Sequence, residues 1–308
     1  MNLKRFDVPR SMGGVCTQNN AADWIRDIIR KSVQLGIGSM QGMQVTYLLP
    51  EALIIPAAEE LSGTVDIHRG TLQIGCQSVF REDVKQGGNF GAFTTNLPAA
   101  AAKNMGCDWT IIGHSEERRD KQGIIGAFMP EWNSEEETRK HVVTAVSGLL
   151  CEQVVCALKQ GINVLFCIGE TADERGEGGF EEQKNRIENV LRGQIKRGLK
   201  GINEHQGDRS IVIGYEPVWA IGPGKTPPDS EYITFVSGLI KEICVELFER
   251  ELPVVYGGGL KSENAKAIAK IKTIDGGLVA LTRFSGDIGF YIDEFKDILD
   301  EYIAGGSI

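Results

Sequence analysis

The sequence predicts an α/β fold, a closed (β/α)8 barrel. Three observations carry that prediction: eight short β-branched runs, longer amphipathic helical stretches between them, and a length of 308 residues that suits one barrel better than an open doubly wound sheet. Several of the runs (IVIGY, NVLFCI, TIIG) are nearly continuous in apolar residues, as strands buried on both faces must be. Strands that alternate with helices imply βαβ units and a parallel sheet.

In chain order the strands are expected at 2–6, 44–49, 71–77, 108–113, 163–168, 210–215, 253–256 and 277–281. Between them run helical patterns. Phe235, Val236, Leu239, Ile240, Ile243, Cys244, Leu247 and Phe248 form one apolar stripe at helical period, and Tyr291, Phe295, Ile298, Leu299 and Tyr302 form another. No linker divides the chain, so one domain over 1–308 is expected. Segments 7–21 and 120–146 are longer than a barrel connection needs and read as inserted loops. Each follows a strand, which puts it at the C-terminal end of the barrel, where such folds build their active sites. There an insertion decorates the rim, joins an oligomer contact or reshapes a pocket.

Composition excludes several functions. With 33 Lys+Arg against 42 Asp+Glu the net charge is −9, and there is no basic tract, so nucleic acid is not an expected partner. An anionic ligand has to be held by local groups against the overall field. No apolar run reaches the ~18 residues of a membrane span, and the first residues, MNLKRFDVPRS, lack the apolar core of a secretion signal. Membrane association is therefore not expected. The seven cysteines are odd in number, with neither a CxxC pair nor metal-ligand spacing. They read as reduced thiols of a cytoplasmic protein, and neither a metal nor an organic cofactor is expected.

Gly224-Lys225-Thr226 imitates the end of a P-loop, but that motif needs a glycine where this chain has Trp219. Better signals lie at strand ends. Glu216 closes the sixth expected strand and is followed by Pro217, which fixes the backbone, and by apolar residues that can exclude water. A carboxylate so placed suits removal of a proton beside a carbonyl, although a lone glutamate at a strand end is more often solvated or ion-paired. His114 lies at the junction of the fourth strand and a helix. A helix N-terminus disfavours imidazolium, so a neutral His114 could donate to a developing enediolate. Lys4 and Asn2 share one side of the first expected strand, where a cation could neutralise phosphate or polarise a carbonyl.

Taken together these residues resemble the triosephosphate isomerases. YEPVWAIGPGKT at 215–226 differs at one position from that family's YEPVWAIGTGKT, and GHSEERR at 113–119 resembles its GHSERR with one extra Glu. CIGE at 167–170, GAFT at 91–94, YGG at 256–258 and Asn2-Leu3-Lys4 follow in the family's pattern. The resemblance implies a TIM barrel that interconverts dihydroxyacetone phosphate and glyceraldehyde 3-phosphate in glycolysis and gluconeogenesis, without a cofactor. It implies Glu216 as general base, His114 as neutral electrophile and Lys4 as the cation at carbonyl and phosphate, oriented by Asn2. Glu116, beside Ser115, matches an acidic residue that meets the lysine, and 217–226 matches a mobile lid.

The same resemblance implies that phosphate is held by backbone N–H groups, with Gly222 the donor from the lid and others after the last two strands. There the chain departs. Gly259 stands for the serine of YGGS, and DGGLVALTRF at 275–284 replaces DGFLVGGASL, putting Ala280 and Leu281 where the family has glycines. A Cβ penalises any positive φ and hinders close approach, so phosphate affinity is expected to suffer unless Arg283 supplies a side-chain clamp. Segment 78–95, with Phe93 near its tip, resembles the loop through which the family forms homodimers, although Gln77-Ser78 and Asn96 depart from the usual residues there. Alternatives to the triose reaction are isomerisation of another small sugar phosphate, such as a tetrulose phosphate, and a catalytically inactive barrel acting as a binding module.

Overall fold

The computed structural model describes residues 1–222 and 224–306; Pro223, within the expected lid, lies outside the described residues. Seven parallel strands form one sheet in sequential order, β1 (Val45–Leu49), β2 (Leu72–Cys76), β3 (Trp109–Ile112), β4 (Asn163–Ile168), β5 (Ile211–Tyr215), β6 (Val254–Tyr256) and β7 (Gly276–Gly277). The first expected strand is reduced to a single bridge between Asn2 and Leu48. Residues 1–3 nevertheless close the barrel. Leu3 N–H donates to the Leu48 carbonyl at 3.0 Å, and Asn2 N–H donates to the Val279 carbonyl, beyond β7, at 2.8 Å. The run expected at 2–6 fails as a strand because Lys4 takes φ +22°, which turns the chain out of the sheet.

Strand parity sorts side chains between two apolar clusters. On β4, Leu165 and Cys167 join Leu48, Trp109, Ile111 and Leu278 inside the barrel, whereas Val164, Phe166 and Ile168 face the surrounding helices. Those helices are α1 (Ala21–Gln34), α2 (Glu51–Ser62), α3 (Asp66–Arg69), α4 (Ala99–Asn104), α5 (Ser115–Phe128), α6 (Glu136–Lys159), α7 (Ala172–Arg175), α8 (Phe180–Gly198), α9 (Ile202–His205), α10 (Ser230–Phe248), α11 (Ser262–Ala269) and α12 (Ile292–Gly305). The stripes expected before Phe248 and before Tyr302 fall on α10 and α12. Helix α12 packs on α11 and on α1, which brings the outer layer round to its start.

Two expectations need correction. Segment 120–146 is mostly helical, because α5 extends to Phe128 and α6 begins at Glu136, leaving a short connection at Pro130. Helix α6 is also long and apolar enough to cross a membrane, contrary to the reading of no such run. Its Val142, Val146, Leu150, Val154 and Leu158 are buried within the fold, however, as in a core helix. Segment 7–21 folds on itself through a Pro9–Cys16 bridge. From its short helical turn Arg10 reaches the loop after β7, donating to the Ile288 carbonyl at 2.9 Å and the Tyr291 hydroxyl at 3.1 Å.

Candidate active site

Glu216 follows β5 directly, and its N–H donates to the Ile168 carbonyl at 2.8 Å, continuing the strand pairing. Parity with Val212 and Gly214 turns its side chain into the barrel. The residue is only 3% exposed. Gly169 makes this approach possible, because a Cβ there would lie 1.7 Å from the Glu216 carbonyl oxygen. The carboxylate accepts three hydrogen bonds: from Ser115 N–H at 3.0 Å, from Ser115 Oγ at 3.3 Å and from His114 Nε2 at 3.0 Å.

His114 is the N-cap of α5, where its Nδ1 accepts from the Glu116 N–H at 3.3 Å. With Nδ1 accepting, the proton sits on Nε2 and points at Glu216. Burial disfavours the charged ring, but the bond to Glu216 and its negative charge outweigh burial and leave the His114 pKa raised. The neutral imidazole inferred from the helix N-terminus is thus opposed, in this arrangement, by Glu216. The turn before it needs glycine: Gly113 has φ +78°, and a Cβ would meet Arg118 and the Cys167 carbonyl at 2.9 Å.

Lys4 lies across the site, its ammonium bonded to Glu116 at 2.7 Å. Its left-handed backbone is held on both sides: Lys4 N–H donates to Asn2 Oδ1 at 3.2 Å, and Gln77 Nε2 donates to the Lys4 carbonyl at 2.9 Å. Gln77 also donates to Asn2 Oδ1 at 2.9 Å. Asn2 therefore meets the Lys4 backbone and Gln77, and the reason it does so is this turn and not alternation along a strand. Although segment 77–78 stood out in the sequence only as a departure beside the loop expected at a dimer contact, Gln77 braces Lys4.

The extra glutamate of GHSEERR is a second residue missed in the sequence. Glu117 accepts from Gly113 N–H at 2.7 Å, Lys121 at 2.8 Å, Ser78 Oγ at 2.9 Å and Gln153 Nε2 at 2.9 Å. Burial pushes its pKa up, but Lys121 and these donors prevail and hold it below the usual carboxylate value. It ties the turn before His114 to the chain after β2. Nothing in composition or period marks it; only the one-residue surplus over the motif could have pointed to it.

The segment 217–226 leaves Glu216 through a short helical turn, Val218–Ala220, whose Trp219 donates its indole N–H to Glu170 at 2.8 Å. Glu170 is fully buried, and the same oxygen accepts from Tyr215 and Tyr232, so burial raises its pKa against those donors. The Arg175 guanidinium lies 3.8 Å from the Trp219 ring centroid. Beyond this anchored root, Ile221, Gly222, Gly224, Lys225 and Thr226 are exposed, and Gly222 has φ +126°. Anchored root and exposed tip are the build of a hinged lid.

A family model described as triosephosphate isomerase matches residues 37–298. The "Triosephosphate isomerase" of Geotalea uraniireducens (strain Rf4) is 31% identical over 251 residues, covering 80% of this chain and 86% of that one. The protein of the same name from Chloroherpeton thalassium (strain ATCC 35110 / GB-78) is 32% identical over 236 residues, covering 76% and 77%. The chain belongs to the triosephosphate isomerase family. A solved triosephosphate isomerase from Bartonella henselae shares its fold, with a TM-score of 0.64 over 98% of this chain and 97% of that one at 22% identity.

The loops after β6 and β7 carry the departures from the triosephosphate isomerase pattern noted in the sequence. Gly259 keeps φ +92°, whereas Ala280 and Leu281 are not among the residues with positive φ. The Cβ penalty expected there does not arise. The Leu281 side chain packs against the core. Among the described residues, no acceptor is found for the N–H groups of Gly259, Ala280 or Leu281, so three donors stand available after two neighbouring strands. Arg283, weighed in the sequence as a clamp, is committed elsewhere: it pairs with Glu294 and stacks on Tyr291 with 4.0 Å to the ring centroid. At the other contact, Phe93 folds back on Phe80 at 5.5 Å, and Phe90, 92% exposed, forms the prominent apolar point of 78–95.

Proposed function

We propose that this chain interconverts dihydroxyacetone phosphate and glyceraldehyde 3-phosphate, with Glu216 as base, His114 and Lys4 as electrophiles, and no cofactor. The observation that carries the reading is the 3.0 Å contact between Glu216 and His114 Nε2 inside a closed barrel mouth, with the Lys4 ammonium on the same helix turn through Glu116. Family membership supplies the reaction class, an aldose–ketose isomerisation.

The chemistry follows from the bond that must be exchanged. Glu216 is held by Ser115 and His114. A substrate carbonyl oxygen that takes the carboxylate's place on His114 Nε2–H frees the base and is polarised in the same move. Glu216 then takes the proton from the carbon beside the carbonyl. The electron pair moves into the carbon–carbon bond and the carbonyl pair onto oxygen, where His114 and Lys4 stabilise it. Return of the proton from Glu216 to the former carbonyl carbon, while the hydroxyl proton passes from the other carbon's oxygen to the former carbonyl oxygen, leaves the carbonyl on the carbon first deprotonated, and no oxidant is consumed. Once Glu216 has turned from the ring to the carbon, burial and the Lys4 charge favour the neutral ring, against the charge of Glu116. Closure of 217–226 keeps water from the enediolate. Gly222, Gly259, Ala280 and Leu281 offer N–H donors for the phosphate.

The same reading takes the chain as one barrel domain and as a homodimer through 78–95, supported by the exposure of Phe90. Seven free thiols support a cytoplasmic enzyme. The test is the rate of glyceraldehyde 3-phosphate isomerisation by the purified chain beside Glu216→Gln. The expected kcat/KM is on the order of 10⁴ M⁻¹s⁻¹ or more, with kcat falling about 10²- to 10⁴-fold in the variant. Equal rates in the two proteins would refute the assignment of the base.

A further inference from the structure

We propose that Lys261 is the side-chain anchor for the substrate's phosphate, a role that rests on the isomerase reading above and deepens it. The net charge of −9 requires that an anion be met by local positive charge. Several cations around this end of the barrel are already neutralised. Lys4 is paired with Glu116, Arg283 with Glu294 and Arg10 with Asp287. Among the described residues, Lys261 forms no ion pair. Its ammonium sits 4.4 Å from the centroid of the Phe284 ring.

That contact spans the two loops with free donors. Lys261 comes two residues after Gly259 and leads into α11, and Phe284 comes three residues after Leu281. The two loops lie side by side next to the base. Tyr256 pairs with Gly277, Leu260 crowds Gly277 so closely that a Cβ there would meet Leu260 Cδ2 at 2.3 Å, and a Cβ on Gly257 would touch Glu216 Cγ at 3.2 Å. Lys261 itself is fixed at its backbone, its N–H donating to Asn264 Oδ1 at 2.8 Å, while Asn264 Nδ2 donates to the Gly259 carbonyl at 3.1 Å. The stem is therefore tied to Gly259, and the four-carbon side chain is free to swing.

A half-exposed aromatic face is a weak resting place for an ammonium, which a phosphate oxygen can displace. Where the family pattern has a serine hydroxyl and bare glycines, this chain has an unpaired lysine on the same pair of loops. Among the described residues Lys225, on segment 217–226, also forms no ion pair, and it serves as the comparison; Arg175, likewise without an ion pair, is held by Gln183 and the Trp219 ring.

The experiment compares the purified chain with Lys261→Ala, Lys261→Arg and Lys225→Ala on glyceraldehyde 3-phosphate and on unphosphorylated glyceraldehyde. Inorganic phosphate binding is measured by calorimetry on the same proteins. For Lys261→Ala, kcat/KM on the phosphorylated substrate should fall roughly 10- to 100-fold, mostly through KM, and phosphate binding should weaken by about 10-fold or more. Glyceraldehyde turnover should stay within about twofold, and the arginine variant should recover most of the loss. Unchanged phosphate binding in Lys261→Ala, equal losses on both substrates, or a phosphate-specific loss confined to Lys225→Ala would each overturn the proposal. Failure of the isomerase reading is a separate result, turnover that does not depend on Glu216. The calorimetric comparison judges Lys261 even then.

Discussion

The two halves of the candidate site are built in opposite ways. The half proposed for proton transfer, Lys4, His114, Ser115 and Glu216, is locked by half-buried groups with several partners each. Glu117 alone gathers four donors behind His114, and Gln77 braces both Asn2 and Lys4. The half proposed for the anion is made of loops held by few contacts of their own: Thr282 and Arg283 N–H both bond the Gly289 carbonyl, Tyr291 N–H bonds Thr282 Oγ1, and Arg283 is held by Glu294, while Gly259, Ala280 and Leu281 N–H find no acceptor among the described residues. Reaction geometry tolerates little displacement, because proton transfer needs contacts near 3 Å. Anion binding tolerates more, since a phosphate can be met by backbone donors, a side-chain cation or both. The chain keeps the family's motif residues Lys4, His114, Ser115 and Glu216 where displacement is expensive, braces them partly with residues outside the pattern (Glu117, Ser78), and varies the loops where displacement costs less.

If that contrast is sound, the largest stability effect should come from the locked half. Glu117→Ala strands Gly113 N–H, Ser78, Gln153 and Lys121 together, and a loss of about 2–4 kcal/mol is expected in denaturant unfolding. It should also lower kcat, because the turn that carries His114 loses its tie. A loss below about 0.5 kcal/mol would show that the cluster does not brace the site.

A subtler test is electrostatic. The His114 pKa is raised by Glu216, so the folded state holds that proton more tightly than the unfolded chain does. The pair's contribution to stability is therefore full below the ordinary histidine pKa of about 6.5 and is lost as pH rises through the folded value. In Glu216→Gln, burial remains and the carboxylate does not. The His114 pKa, followed by NMR, should drop below that of the unsubstituted chain, and the stability gap between the two proteins should narrow as pH rises. A His114 pKa that does not move would mean the 3.0 Å contact carries no charge coupling.

The smallest effect belongs to the anion half. Because Ala280 does not occupy a left-handed conformation, Ala280→Gly should leave KM within about twofold and cost roughly 0.5–1 kcal/mol of stability through chain entropy. A marked gain in triose phosphate affinity would show that the side chain obstructs the site after all.

Much of this was legible in the sequence. Near-continuous apolar runs placed β3, β4 and β5 and put Glu216 at the end of β5; the structure adds that strand parity turns its side chain into the barrel. The motifs brought His114, Ser115 and Glu216 together. Less accessible were features set by tertiary context. The left-handed turn at Lys4 shortened the first strand, and it depends on Gln77, 73 residues away. The apolar stretch around Ile124 and Phe128 reads as an irregular insertion, but it continues α5 until Pro130 intervenes. Replacement of two glycines suggested a damaged phosphate site, since a residue type alone does not reveal which φ the backbone adopts. Glu117 looked like a surplus residue because its value lies in four partners spread from Ser78 to Gln153.

The central claim is that Glu216 moves a proton between neighbouring carbons. Dihydroxyacetone phosphate incubated with the chain in heavy water tests it most directly, with deuterium in substrate and product followed by NMR. The account predicts deuterium on the carbon next to the carbonyl, incorporated at a rate that collapses in Glu216→Gln. Isomerisation or exchange that proceeds equally well in the variant would contradict it.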